Sequence, residues 1–114
     1  MVKLYGIKNC DTMKKACRWL DEQGIAYGFH DFKKQGIDER QLRQWVNIVG
    51  WETLLNRRGL MWRKLDQSAK AEIDEPSAIR IMLETPTIIK RPVLEQGRNV
   101  YVGFNEDLYS KLFA

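Results

Sequence analysis

The chain is poor in the residues that most simple functional assignments require. It holds two cysteines, Cys10 and Cys17, and one histidine, His30, in 114 residues. Two thiols do not make a structural disulfide framework. One His without a second pair of Cys is a poor basis for zinc, so no metal is expected. There is no CxxC, because the position three residues after Cys10 is Met13. No apolar run approaches the ~20 residues a membrane span needs. Lys3 and Lys8 interrupt the only apolar stretch at the N-terminus, so no signal peptide is read there and the expectation is a cytoplasmic protein without membrane contact. Repeats, low-complexity segments and linkers are absent as well. Charge is present in moderation: the net value is +4 with a pI near 9.2. Basic runs interleaved with aromatics are lacking, so a nucleic-acid partner is not expected. A local anion site or a solvated basic face explains the excess equally well.

What is there is ordinary globular material, 44% hydrophobic and 30% charged. That suits one domain over residues 1–114, expected as a monomer. The chain is organised around Leu4-Tyr5-Gly6-Ile7-Lys8-Asn9-Cys10-Asp11-Thr12-Met13. Val2, Leu4 and Tyr5 read as a short buried strand and Gly6 to Asn9 as a tight loop. Met13, Ala16, Cys17 and Leu20 then fall at i, i+3, i+4 and i+7, the apolar face of a helix from about Thr12 to Gln23. Asp11 or Thr12 is the expected N-cap, and Gly24 closes the helix. Cys10 therefore stands where a strand ends and a helix begins, beside unpaired amide N–H groups and the positive end of the helix dipole. That setting, with Lys8, Lys14 and Lys15 near in sequence, favours a thiolate; Asp11 opposes it. Free cysteine is more often a small buried hydrophobe than a nucleophile, and Cys17, on the apolar stripe, is read that way. The two cannot readily pair, because seven helical residues span about 10 Å and a disulfide needs Cα atoms within roughly 7 Å.

Ala26 to Asp31 reads as a second strand, parallel to the first across the helix. His30 near its end is read as an ordinary polar residue. Lys33-Lys34-Gln35-Gly36 is a polar turn, and Asp38 caps a helix with Leu42, Trp45, Val46 and Val49 on its stripe. Short helical pieces follow at Trp51 to Leu55 and Trp62 to Leu65, and a longer one begins at Pro76 or Ser77 and ends before Thr85-Pro86. Thr87, Ile88 and Ile89 read as a third strand. Gln96-Gly97-Arg98-Asn99 is a hairpin turn between Val93-Leu94 and Val100-Tyr101-Val102. Asn105 caps a closing helix with Leu108, Leu112 and Phe113 inward.

With Leu4 to Thr12, Pro86-Thr87-Ile88-Ile89-Lys90-Arg91-Pro92 and Val102-Gly103-Phe104 taken together, the chain resembles the arsenate-reductase-like family (ArsC, Spx and the small YffB-type reductases). The first loop is most similar to the YffB type, and the similarity runs the whole length. The resemblance implies an α/β, thioredoxin-like fold: an N-terminal βαβ unit, a mostly helical insertion at about 33–84, and a C-terminal ββα unit. It implies that Cys10 is the nucleophile, that Arg91 stabilises the thiolate or the anionic substrate, and that Pro92 is cis and faces the Cys. The reaction it implies is glutathione-dependent thiol reduction through a mixed disulfide on Cys10. Glutathione is then a cosubstrate, not a bound cofactor, with Lys8, Asn9, Thr12, Arg57, Lys90 and Pro92 as its expected binding residues beside a small oxidised or oxyanion substrate. Two alternatives stay open. One is arsenate reduction by the same thiolate. Against it, Leu54-Leu55 is followed by Asn56, with Arg57-Arg58 displaced from the family's arginine position, and Tyr101-Val102-Gly103 lacks another. The other is a non-enzymatic, Spx-like regulator that binds a protein partner, although the CxxC of such regulators is missing.

Overall fold

A computed structural model describes residues 1–114. The chain divides into two compact units, one formed by 1–31 with 91–114 and the other by 32–90.

The first unit is a four-stranded sheet with two helices. Strand β1 (Val2–Gly6) leads to helix α1 (Asp11–Glu22) and then to β2 (Tyr27–Asp31). After the inserted unit come β3 (Val93–Gln96), β4 (Asn99–Val102) and the last helix, α8 (Glu106–Leu112). The strand order is β2-β1-β3-β4. β1 and β2 are parallel, as a βαβ crossover requires, with Leu4 opposite Phe29. β1 and β3 are antiparallel, with Leu4 opposite Leu94 and Tyr5 opposite Val93. The β3–β4 hairpin closes on Gly97-Arg98. Gly97 has φ 61°, the left-handed setting a two-residue hairpin needs at its first central position.

Helix α1 ends as its sequence implies. Gly24 takes φ 70°, the Gly24 N–H donates to the Asp21 carbonyl at 3.1 Å, and the Ile25 N–H to that of Leu20 at 3.0 Å. This pair of reversed bonds is the Schellman motif. Val2, Leu4, Met13, Ala16, Leu20, Leu94 and Tyr109 form one buried cluster, so α1 and α8 cover the same face of the sheet. The expected inward set of α8 was Leu108, Leu112 and Phe113. Those three are only half-buried, and Tyr109 is the residue taken wholly inside. Its ring meets Phe104 edge-on at 4.8 Å and Trp19 at 5.7 Å, packing that a large aromatic gains only by turning fully inward.

The Tyr109 hydroxyl is buried without a hydrogen-bond partner. Burial, with a smaller push from Cys17, raises its pKa well above 10.0. An acid whose folded pKa is raised stabilises the fold fully below its unfolded pKa, and that stability is lost as pH rises beyond it. Denaturant melts should therefore show stability falling from about pH 10 upward, with a shallower fall in Tyr109→Phe. At neutral pH the same variant should be as stable as the parent or up to ~1 kcal/mol more so, because it removes an unpaired buried hydroxyl.

The inserted unit is helical, in pieces: α2 (Phe32–Gln35), α3 (Glu39–Val49), α4 (Trp51–Leu54), α5 (Leu60–Arg63), α6 (Gln67–Ala71) and α7 (Glu75–Glu84). Asp38 caps α3 by accepting from the Gln41 N–H, as expected. Asp74 and Ser77 cap α7 reciprocally, and the helix begins at Glu75, one residue before Pro76, the earlier of the two expected starts. The expected strand at Thr87–Ile89 is not one. Pro86–Ile88 is a 3-10 turn, with Ile88 N–H on the Thr85 carbonyl and Ile89 N–H on that of Pro86. Pro86 sets the φ that starts such a turn. Only Ile89 is extended, in a single bridge to Leu55.

Candidate active site

Cys10 is itself the N-cap of α1, with extended backbone at φ −146° and ψ 125°; neither Asp11 nor Thr12 is. Its carbonyl accepts the Lys14 N–H at 3.0 Å, the first bond of the helix. An N-cap side chain lies among the amide N–H groups of the first turn, which have no partner inside the helix. The usual occupant is an oxygen acceptor, and here the position is given to sulfur. The Cys10 side chain makes no cap hydrogen bond of its own and is half-buried, packed against the edge of the main cluster.

The preceding loop is anchored by close packing. A Cβ on Gly6 would collide with the Met13 side chain, which would have to shift to admit a larger residue. Ile7 is buried, whereas Lys8, Asn9 and Thr12 are exposed around Cys10.

The β1–β3 register brings the distant Arg91-Pro92 segment to the same end of the sheet. Tyr5 pairs with Val93, so continuing the antiparallel pairing places Pro92 and Arg91 where β1 leaves for the Cys10 loop. The Arg91–Pro92 peptide bond is cis, as expected from the resemblance. Pro92 is buried, and its carbonyl accepts the Gly103 N–H at 2.8 Å. Arg91 is half-buried. Lys8, Asn9, Cys10, Thr12, Arg91 and Pro92 thus all belong to the first unit. Arg57 and Lys90 belong to the inserted unit. There the exposed Arg57 guanidinium lies over the Trp51 ring at 5.5 Å, and the Lys90 N–H donates to the Leu54 carbonyl at 2.8 Å.

Cys17 departs from expectation. It is half-buried and borders an open cavity. The stripe that covers the sheet is narrower than the sequence period implied: Met13, Ala16 and Leu20 are its buried members, and Cys17 stands at its margin. Tyr27, on β2, faces Cys17 and Asp21; burial first and these two neighbours next hold its phenol protonated well above the ordinary range. The other residue read as ordinary, His30, packs against Tyr5 with ring centroids 5.0 Å apart and the planes tilted by 39°. The N-cap role of Cys10 was within reach of the sequence, since a helix counted from Cys10 keeps Met13 and Ala16 in phase.

A four-stranded mixed sheet with a βαβ start, a ββα end, a cysteine at the first helix N-terminus and a cis-proline at the same sheet end defines a thioredoxin-like protein. The ArsC family model matches residues 5–112, and the chain belongs to that family. A protein of Haemophilus influenzae described only as uncharacterized is 42% identical over 114 residues, all of both chains. The solved structure described as YFFB (PA3664) protein is 54% identical with a TM-score of 0.96, covering all of both chains. That of an arsenate reductase (ArsC) related protein from Brucella melitensis is 48% identical with a TM-score of 0.80, over 98% of this chain and 93% of the other.

Proposed function

We propose that the protein is a glutathione-dependent thiol reductase with Cys10 as its single nucleophile. The observation that carries this reading is the placement of Cys10 at the N-cap of α1, beside the unpaired amide groups that open a twelve-residue helix. The Cys10 thiolate attacks the glutathione sulfur of a mixed disulfide. The S–S bond breaks, the substrate leaves as a thiolate that takes a proton, and Cys10 is left joined to glutathione. A second glutathione thiolate attacks that glutathione sulfur, releasing glutathione disulfide and restoring the Cys10 thiolate. The net reaction consumes one mixed disulfide and one glutathione and yields one thiol and one glutathione disulfide. The outside thiol is needed because Cys17 lies seven residues along a continuous helix, about 10 Å away and out of disulfide range. Lys8, Asn9, Thr12 and Arg91 are the groups offered to the glutathione carboxylates and backbone.

Treatment with glutathione disulfide followed by peptide mass mapping tests the reading. The adduct is expected on Cys10, with Cys17 far less modified. An intramolecular Cys10–Cys17 disulfide in the folded protein would overturn the outside-thiol step. Steady arsenate turnover with glutathione, without reduction of mixed disulfides, would move the substrate class to oxyanions.

Arg91→Ala should weaken glutathione binding by roughly ten- to a hundredfold, the range for a charge-assisted hydrogen bond of about 1.5–3 kcal/mol. Arg91→Lys should recover only part, since an ammonium lacks the planar fork that grips a carboxylate. Titration calorimetry on the reduced protein measures both. An unchanged affinity in Arg91→Ala would remove Arg91 from the binding set.

A further inference from the structure

Between α1 and the edge strand β2, the first unit holds an open cavity of about 280 Å³. Met13, Ile7, Tyr27 and Phe29 form its apolar walls, and Lys8 and Lys14 stand at its rim. Tyr27 and Phe29 point to the same face because they are two apart on one strand. Phe29 keeps 37% of its surface exposed, a large apolar group left open to solvent at the cavity mouth. Neither lysine ammonium has a carboxylate partner within 4.0 Å.

The charges are arranged along the cavity. Lys8 and Lys14 lie at the N-terminal end of α1, where the helix dipole adds to them. Phe29 is paired with Leu4, and Tyr27 with Val2, further from that end. Asp21, the carboxylate facing Tyr27, lies one turn beyond Cys17. The positive end and the negative end are thus separated by an apolar middle.

We propose that this cavity binds a small amphipathic carboxylate, its acid group on Lys8 and Lys14 and its aliphatic or aromatic body between Met13, Tyr27 and Phe29. The size fits such a ligand: the cavity is at the lower limit of the few hundred Å³ typical of small-molecule sites, and like them it is apolar with a few charged groups. The orientation follows from Asp21, which repels a carboxylate at the far end. The site does not depend on the Cys10 reaction and differs from the glutathione site in taking an apolar body along α1; Lys8 is common to both.

Cys17 on the cavity wall provides the reporter. In Cys10→Ser protein it is the sole thiol, and its alkylation by iodoacetamide can be timed with and without octanoate. Saturating octanoate should slow Cys17 alkylation at least roughly tenfold, while octylammonium of the same length should not protect. Octanoate should likewise displace the fluorescent anion 1-anilinonaphthalene-8-sulfonate. Phe29→Ser should weaken octanoate by about tenfold or more, because the ligand loses an apolar wall of the cavity. Lys14→Glu, a change on an exposed helix position, should weaken octanoate and improve octylammonium. Equal protection by octylammonium, no protection by octanoate, or unaltered octanoate affinity in both folded variants would overturn the assignment. Because every measurement is made without Cys10, failure of the reductase reading leaves these results untouched.

Discussion

Cys10→Ser is expected to lose at least about a thousandfold in the rate of thiol–disulfide exchange while remaining folded. Serine keeps the size of cysteine but has no thiolate at neutral pH, so no covalent intermediate forms. It is also a preferred N-cap residue, and its hydroxyl can accept from the free amides of the first turn of α1. Urea melts should therefore give a stability equal to the parent or higher by about 0.5–1 kcal/mol. Stability and activity moving in opposite directions is the signature of a residue held for chemistry. Cys17→Ala should do the reverse, keeping exchange near the parent rate and losing on the order of 1 kcal/mol for a half-buried side chain. Stopped-flow exchange with a fluorescent mixed disulfide, together with the melts, checks both. If Cys10→Ser kept its exchange rate, the nucleophile would be elsewhere.

Leu4→Ala should destabilise the protein by about 3–5 kcal/mol. Leu4 is fully buried in β1, touches both neighbouring strands through Phe29 and Leu94, and packs in one cluster with Met13, Ala16, Leu20 and Tyr109. A truncation there leaves a cavity bounded by strands on both sides, which cannot close in. Against a typical domain stability of about 5–15 kcal/mol, that is a large fraction. The loss should reach the site as well, since β1 runs straight into the Cys10 loop. Proteolysis near Cys10 should quicken in native buffer, and Leu4→Met, which conserves volume, should cost less than ~1.5 kcal/mol. A Leu4→Ala loss under 1 kcal/mol would mean that the first unit is not held together through β1.

Much of the fold was legible because its signals are local. The Gly24 termination of α1, the Asp38 and Asn105 caps and the Gly97 hairpin each depend on a few neighbouring residues and their allowed dihedral angles. The parallel pairing of β1 with β2 followed from the length of the helix between them. Thr87–Ile89 misled because three β-favouring residues stand between two prolines, and Pro86 selected a 3-10 turn that their propensity does not report.

The sequence by itself determined that a cysteine ends a strand–loop and begins a helix, and that the second cysteine lies too far along that helix to pair with it. Both follow from short-range geometry: 3.6 residues per turn and the change of period at Met13. Tertiary structure alone decided the rest of the site. It brought Arg91 and Pro92 to the end of β1 from some eighty residues away, through the register of Tyr5 with Val93. It left Cys17 on a cavity wall, because the width of a buried stripe is set by what packs against the helix, here the edge strand β2. Periodicity shows which way a side chain points along a helix, and only the neighbouring strand determines whether anything covers it.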